Sequence, residues 1–164
     1  MKTIELTQGK VALVDDEDYE HLNQWKWYAH SSGNTFYAIR NITVGKGKQA
    51  TLYMHRVIMN TPDGMETDHI NGDGLDNRKS NLRVCTVSQN CANRRARGTS
   101  KYLGVSWHSG NRYWQVRIRK DGFEHYLGNF VSEEDAARAY DAKAKELHGE
   151  FAKLNFVGDE AGPA

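Results

Sequence analysis

Over residues 1 to about 57 the apolar positions come in short runs rather than at helical spacing, which predicts strands. Residues 10–14, 25–29 and 35–39 are three of them, and Ser31-Ser32-Gly33-Asn34 is a turn between the last two. Residues 15–23 are compatible with a short helix and 45–48 with a second turn. Residues 51–58 read as a further strand, with Leu52, Met54 and Arg56 on one face and Tyr53, His55 and Val57 on the other. Residues 59–81 are rich in Gly, Asn and Asp and predict an irregular loop, one that is either solvated or organised around an ion. Thr86-Val87-Ser88-Gln89 has the pattern of a capping box, so a helix should start near Val87, run to about Ala96 and end at Gly98.

The last third of the chain has a different rhythm. Residues 104–107, 113–119 and 124–129 predict three strands, separated by Ser109-Gly110-Asn111 and Asp121-Gly122, both good hairpin turns. Ser132 is then a candidate N-cap, followed by Glu133, Glu134 and Asp135, which suit the positive end of a helix. Ala136, Tyr140, Ala144 and Leu147 form one apolar stripe at helical spacing, and Gly149 closes it. Small alanines would let that helix lie close on a three-stranded sheet. Alternation assigns the sheet's faces: Trp114, Val116 and Ile118 toward the helix, Gln115, Arg117 and Arg119 outward. The prediction is an α+β chain. N-terminal strands lead into a first domain over 1–96, residues 97–101 link it to a second over 102–156, and 157–164 form a disordered tail.

Charge changes this picture most. The chain of 164 residues has a net charge of only +1, yet from Arg78 to Lys120 there are Lys and Arg but no Asp or Glu. A solvated face mixes signs, whereas a stripe of one sign suits a polyanion, because neutralising phosphates releases condensed counterions. Cys85 and Cys91 form no Cys-x-x-Cys pair, so a structural zinc site of thiolates is not expected; they read as two small, partly buried residues. The N-terminal residues lack the apolar stretch of a signal peptide, and no apolar run is long enough to span a bilayer, so an intracellular protein is expected.

Candidate chemistry sits in Thr67-Asp68-His69-Ile70-Asn71-Gly72-Asp73. A hard divalent cation takes oxygen ligands, only one or two of them protein carboxylates, and keeps other positions for water and phosphate. Asp68 can hold such an ion, and an imidazole can take a proton from water near neutral pH. A lone Asp-His pair is also compatible with a turn carrying a surface histidine.

The surrounding segments make the resemblance specific. Asp-His-Ile-Asn-Gly-Asp, Leu-Asp-Asn-Arg and Asn-Leu-Arg occur in order, and Asn81 and Asn90 follow at matching spacings. Residues 55–90 thereby resemble the HNH endonucleases, in particular the branch found in intron-borne and phage homing endonucleases. That resemblance implies a ββα-metal core over about 52–96. It implies Asp68 and Asn90 as metal ligands, His69 as the general base, and Asn81 as the residue that braces the loop and orients the histidine. An Asp and an Asn make an oxygen-only pair, which favours magnesium or manganese. Asn77 either serves the site or holds a turn. His55, on its strand, either supports the site or packs in a small core.

Residues 101–156 resemble the DNA-binding domain of plant ethylene-response transcription factors, the APETALA type. The segments that match are Tyr102-Leu103-Gly104-Val105, Tyr126-Leu127-Gly128-Asn129-Phe130 and Ala152-Lys153-Leu154-Asn155-Phe156, with Trp114–Arg119 and Ala136–Asp141 between them. The resemblance implies a sheet set in the major groove, with Ser106, His108, Arg117, Arg119 and Tyr126 at DNA-contact positions; outward-facing Gln115 and Arg112 are further candidates for the DNA side. The plant domains carry arginine where Ser106 and His108 stand and an acid where Arg117 stands, so their target sequence does not transfer. Arg94, Arg95 and Arg97 would lie on phosphates, which supplies affinity without sequence information.

The reading is therefore a divalent-metal DNA endonuclease of site-specific nicking or homing type, monomer or homodimer. Its partner is double-stranded DNA, with no membrane and no small-molecule substrate. The alternative is a DNA-binding regulator with an inactive nuclease core. Arg40, Lys46 and Lys48 could add a further DNA contact, although a solvated turn also accounts for them.

Overall fold

The computed structural model describes residues 1–92 and 99–156. The chain divides into two compact units, Met1–Val87 and Ser88–Ala164.

In the first unit β1 (Lys2–Glu5) pairs antiparallel with β2 (Val11–Val14). Helix α1 (Asp16–Leu22) follows, then a three-stranded sheet of β3 (Tyr28–Ser32), β4 (Thr35–Val44) and β5 (Lys48–Tyr53). The core is Ile4, Ala12, Val14, Leu22, Trp27, Ala38 and Met54, joined by Val57, Ile58 and Leu75.

Three expectations are corrected here. The strand foreseen at 25–29 begins only at Tyr28, because the Trp27 ring turns into the core and its indole N–H donates to the Leu22 carbonyl at 2.9 Å. The strand foreseen over 51–58 ends at Tyr53 and becomes helix α2 (Met54–Ile58). A helix can bring Met54, Val57 and Ile58 onto one core, whereas a strand would send every second one outward. The loop foreseen over 59–81 contains β6 (Glu66–His69), which pairs antiparallel with β7 (Leu82–Cys85), and a short 3-10 turn at Lys79–Asn81. The Asp-His pair thus closes a strand rather than sitting in a free loop.

Helix α3 (Val87–Ala92) starts where the capping pattern predicts. Its foreseen extension to Ala96 and the 157–164 tail lie outside the described residues.

The second unit holds β8 (Val105–His108), β9 (Tyr113–Lys120) and β10 (Phe123–Phe130), antiparallel in the order β10-β9-β8, then α4 (Glu133–His148). Ser132 caps α4 as predicted, its Oγ accepting the Asp135 N–H at 3.3 Å. Val105, Val116 and Ile118 of the sheet bury against Ala136, Ala137, Tyr140 and Ala144 of the helix. Among the described residues no helix is long and apolar enough to cross a membrane.

Candidate active site

Pairing of β6 with β7 sets Asp68 opposite Arg83 and His69 opposite Leu82. Both side chains of the pair are buried: Asp68 is 6% exposed and His69 5%. The Arg83 guanidinium donates to one carboxylate oxygen, Asp68 Oδ2, from Nε at 2.9 Å and Nη2 at 2.8 Å. Burying a carboxylate is costly unless it is paired and hydrogen-bonded, which this fork provides. Sequence reasoning missed Arg83, although its place opposite Asp68 follows from the strand register.

Behind the pair the chain folds into a loop held by its own amides. Asn81 Nδ2 donates to the Asp76 carbonyl at 2.8 Å and to Asn71 Oδ1 at 3.0 Å, while its Oδ1 accepts the Asn71 N–H at 3.0 Å. The Asn81 carbonyl accepts from the Ile70 N–H at 2.9 Å, one residue past the histidine. Asp76 is forked by Arg78 at 2.7 and 2.6 Å, which holds its carboxyl below the usual carboxylate range. The loop is also fastened to the rest of the unit. Leu13 N–H donates to the Leu75 carbonyl and Asn77 N–H to the Leu13 carbonyl, each at 2.8 Å. Gly74 N–H donates to Thr35 Oγ1 at 2.9 Å, and a Cβ at Gly74 would overlap the Phe36 carbonyl and lie 2.7 Å from the Tyr37 ring. Only glycine lets the loop sit this close on β4.

Asn77 is fully buried, and its amide orientation is fixed because Nδ2 donates to the Leu75 carbonyl at 3.1 Å. The other end, Oδ1, is therefore the acceptor that lies 3.3 Å from His69 Nε2. This pairing selects the tautomer with the proton on Nε2 and the lone pair on Nδ1. Burial lowers the His69 pKa, with the Asn77 hydrogen bond and the nearby acids Asp68, Asp73 and Asp76 opposing it, so the ring is neutral at neutral pH.

His55 is corrected from a strand to helix α2, where it is buried with its ring edge-on to His69, centroids 4.9 Å apart. Its Nδ1 has no hydrogen-bond partner among the described residues. Burial first, then the neighbouring His69 charge, pushes its pKa down to about 3. Tyr37 packs on both histidines, 5.5 Å from His55 and 5.7 Å from His69. Arg40, a candidate for a further contact, instead stacks on the Trp25 ring at 4.2 Å with Trp27 beyond it at 5.5 Å, while Lys46 and Lys48 stand exposed around the β4–β5 hairpin tip.

The geometry thus gathers Asp68, His69, Asn77, Asn81 and His55 in one unit. Asn90 lies on α3 and is described with the second unit. Among the described residues no group of three or more His, Cys, Asp or Glu side chains could hold a metal ion. Cys85 is buried, as expected of a small core residue, and burial pushes its thiol up to about 11; Cys91 is exposed, which departs from that expectation.

In the second unit the register places Ser106 against Gln115, His108 against Tyr113, Tyr126 against Arg117 and Glu124 against Arg119. All of these lie on the face opposite buried Val116 and Ile118, as alternation foresees, and Arg112 stands exposed in the preceding turn at φ 56°. Glu124 was missed: its carboxylate accepts from Arg117 Nη1 at 2.9 Å and from Arg119 Nε at 3.0 Å. Arg94, Arg95 and Arg97 lie outside the described residues.

A strand pair whose first strand ends in a buried Asp-His, backed by asparagines that hold the loop and followed in sequence by a helix, defines a nuclease of the ββα class. Comparison with known proteins agrees. The HNH endonuclease family pattern matches residues 53–92. An uncharacterized HNH endonuclease of Acanthamoeba polyphaga mimivirus is 33% identical over 156 residues, covering 92% of this chain and 77% of that protein. Protein 3.8 of Escherichia phage T7 is 31% identical over 95 residues, covering 57% of this chain and 78% of its own length. An ethylene-responsive transcription factor of Arabidopsis thaliana is 46% identical over 63 residues, which is 37% of this chain and 15% of that protein. The chain belongs to the HNH endonuclease family.

Proposed function

We propose that the chain is a metal-dependent endonuclease that hydrolyses one DNA phosphodiester in its first unit and grips the duplex with its second. The observation that carries the chemistry is the His69 imidazole, neutral and fixed in one tautomer by Asn77. Such a ring offers Nδ1 to a water and takes its proton as the water attacks phosphorus. Asn81 keeps the peptide after His69 in place, so the ring is not free to swing away.

The donor set fits a hard divalent cation better than zinc. In the first unit Asp68 offers carboxylate oxygen, and an ion of magnesium type needs few protein ligands; Asn90 is a ligand only by the family resemblance. When bound, that ion would stabilise charge on the scissile phosphate and its leaving oxygen. Asp68 would hold it beside the Arg83 guanidinium that engages the same carboxylate.

The reading for the second unit rests on its outward sheet face, where Ser106, His108, Gln115, Arg117, Arg119 and Tyr126 come together, and on Arg112 beside it. Arginines on an exposed strand pair bidentately with guanine edges or clamp phosphates. The linker arginines 94, 95 and 97 would add phosphate contacts. One centre cleaves one strand, so a monomer should nick and a double-strand break would need a dimer.

A second reading, a DNA-binding regulator with an inactive core, draws on one observation: Asp68 is already engaged by Arg83. Supercoiled plasmid separates the two. Nicking with magnesium that is lost in EDTA and in His69→Ala supports the nuclease reading. No cleavage by the wild type, alongside retained duplex binding, supports the regulator.

A further inference from the structure

The family pattern begins at residue 53, yet part of the candidate site is built by the N-terminal sheet. The residue that carries it is Tyr37 on β4. Its neighbour Ala38 is fully buried in the core, so alternation sends the Tyr37 ring to the opposite face. There it meets the His69 ring at 5.7 Å and 52° and the His55 ring at 5.5 Å and 60°. His55 stands edge-on to His69, at 4.9 Å and 81°. These separations fall within the roughly 4.5–7 Å over which ring pairs attract one another.

The Tyr37 ring is itself held. Gly74 N–H donates to Thr35 Oγ1 on the same strand, and a Cβ on Gly74 would lie 2.7 Å from Tyr37 Cδ1 and Cε1. Strand and loop are thus pinned together at Tyr37, and this loop is the one whose Asn77 meets His69 Nε2.

A hydrogen bond at Nε2 fixes one edge of an imidazole and leaves its plane to tilt about that bond. A base works only when its lone pair stays within about 10–20° of the productive direction. Rings packed on it at two different inclinations remove that tilt. We propose that Tyr37 is a positioning residue for His69. Its ring, not its hydroxyl, holds the imidazole so that Nε2 stays on Asn77 and the lone pair stays on Nδ1. The N-terminal strands then do more than complete a core: they set the geometry of the base. The effect on cleavage rests on the nuclease reading, whereas the hold on the imidazole does not.

Three variants of the full chain test it. Tyr37→Leu removes the ring, and Tyr37→Phe keeps the ring without the hydroxyl. Phe36→Leu removes a ring from the other face of β4, where Lys10 lies over it. The first readout is the His69 tautomer, taken from long-range proton–nitrogen NMR correlations of the imidazole at neutral pH, in EDTA and without DNA. Wild type, Tyr37→Phe and Phe36→Leu should carry the proton on Nε2 alone, and Tyr37→Leu should show both tautomers. A single Nε2-protonated species in Tyr37→Leu, or both tautomers already in the wild type, overturns the proposal. The second readout is plasmid nicking with magnesium. Tyr37→Leu should lower kcat about tenfold or more with KM for DNA within about twofold, and Tyr37→Phe should restore kcat to near that of Phe36→Leu. Normal kcat in Tyr37→Leu overturns the proposal, and a Tyr37→Phe enzyme as slow as Tyr37→Leu replaces it with a hydroxyl that touches substrate. No cleavage by the wild type overturns the nuclease reading and leaves the tautomer test standing. Should Tyr37→Leu not fold, Tyr37→Met, whose flexible chain refills the space without a ring, takes its place in both measurements.

Discussion

Asn77 Oδ1 accepts the Nε2 proton of His69 across 3.3 Å, and the same Asn77 is locked by its own Nδ2 bond to the Leu75 carbonyl. On the proposed mechanism the asparagine acts on cleavage through the histidine and touches nothing that reacts. Asn77→Leu should lower kcat about tenfold, the order of one hydrogen bond, and leave KM for DNA unchanged. His69→Ala, which removes the proposed base itself, should cost about 10²–10⁴ in kcat. Plasmid-nicking kinetics on both variants check this. An Asn77→Leu enzyme with normal kcat would remove Asn77 from the site.

The two histidines differ in what burial does for them. His55 has no partner for Nδ1, and its pKa falls from 6.5 to about 3. Between those values the unfolded chain binds a proton that the native chain does not, so native stability falls as pH drops below 6.5. The slope for one such group is about 1.4 kcal/mol per pH unit within the window, and the contribution is fully restored above it. Urea unfolding of the wild type and His55→Phe at pH 7, 6, 5 and 4 isolates it. The difference between the two proteins should grow in favour of His55→Phe as pH falls. Parallel curves would mean that His55 is solvated after all.

Much of the candidate site was legible in the sequence because its residues are neighbours along the chain. Asp68, His69, Asn77 and Asn81 lie within fourteen consecutive residues, and side-chain amides closing turns is a short-range rule. The second unit was legible for a related reason: period two, two hairpin turns and a capped helix are each local signals. What was not legible depends on pairing between distant segments. Arg83 opposite Asp68, and Glu124 between Arg117 and Arg119, follow from register alone. Helix α2 was read as a strand because five residues are too few to separate the two periods, and only the core that Met54, Val57 and Ile58 share decides between them.

Gly104 shows how closely the second unit is packed. It sits at φ +69°, and a Cβ there would overlap the Tyr140 ring and come 2.6 Å from the Arg117 carbonyl. Gly104→Ala combines left-handed strain with overpacking and should cost at least about 2 kcal/mol. Gly110→Ala, whose Cβ would meet nothing nearer than His108 at 3.5 Å, should stay within about 0.5 kcal/mol. Chemical denaturation of the two variants checks the contrast, and similar midpoints would contradict this packing.

Glu124 places an acid in the middle of the face that is proposed to meet DNA. Its carboxylate holds Arg117 and Arg119 side by side, although those guanidinia stand 50% and 77% exposed. Exposed pairs of this kind add little to stability, so Glu124→Gln should leave the unfolding midpoint nearly unchanged. Its effect should appear in recognition. Freed of the carboxylate, the two arginines gain affinity for any duplex, and random-sequence Kd should fall about threefold to tenfold with a steeper salt dependence. Without the brace they lose a fixed spacing, so the ratio of preferred-site to random-site affinity should shrink by a similar factor. Selection of bound duplexes from a random pool, followed by competition titrations, measures both quantities. Tighter binding with unchanged selectivity would make Glu124 a repulsive charge only; weaker binding to every duplex would mean that the carboxylate itself accepts a hydrogen bond from a base, as a cytosine amino group allows.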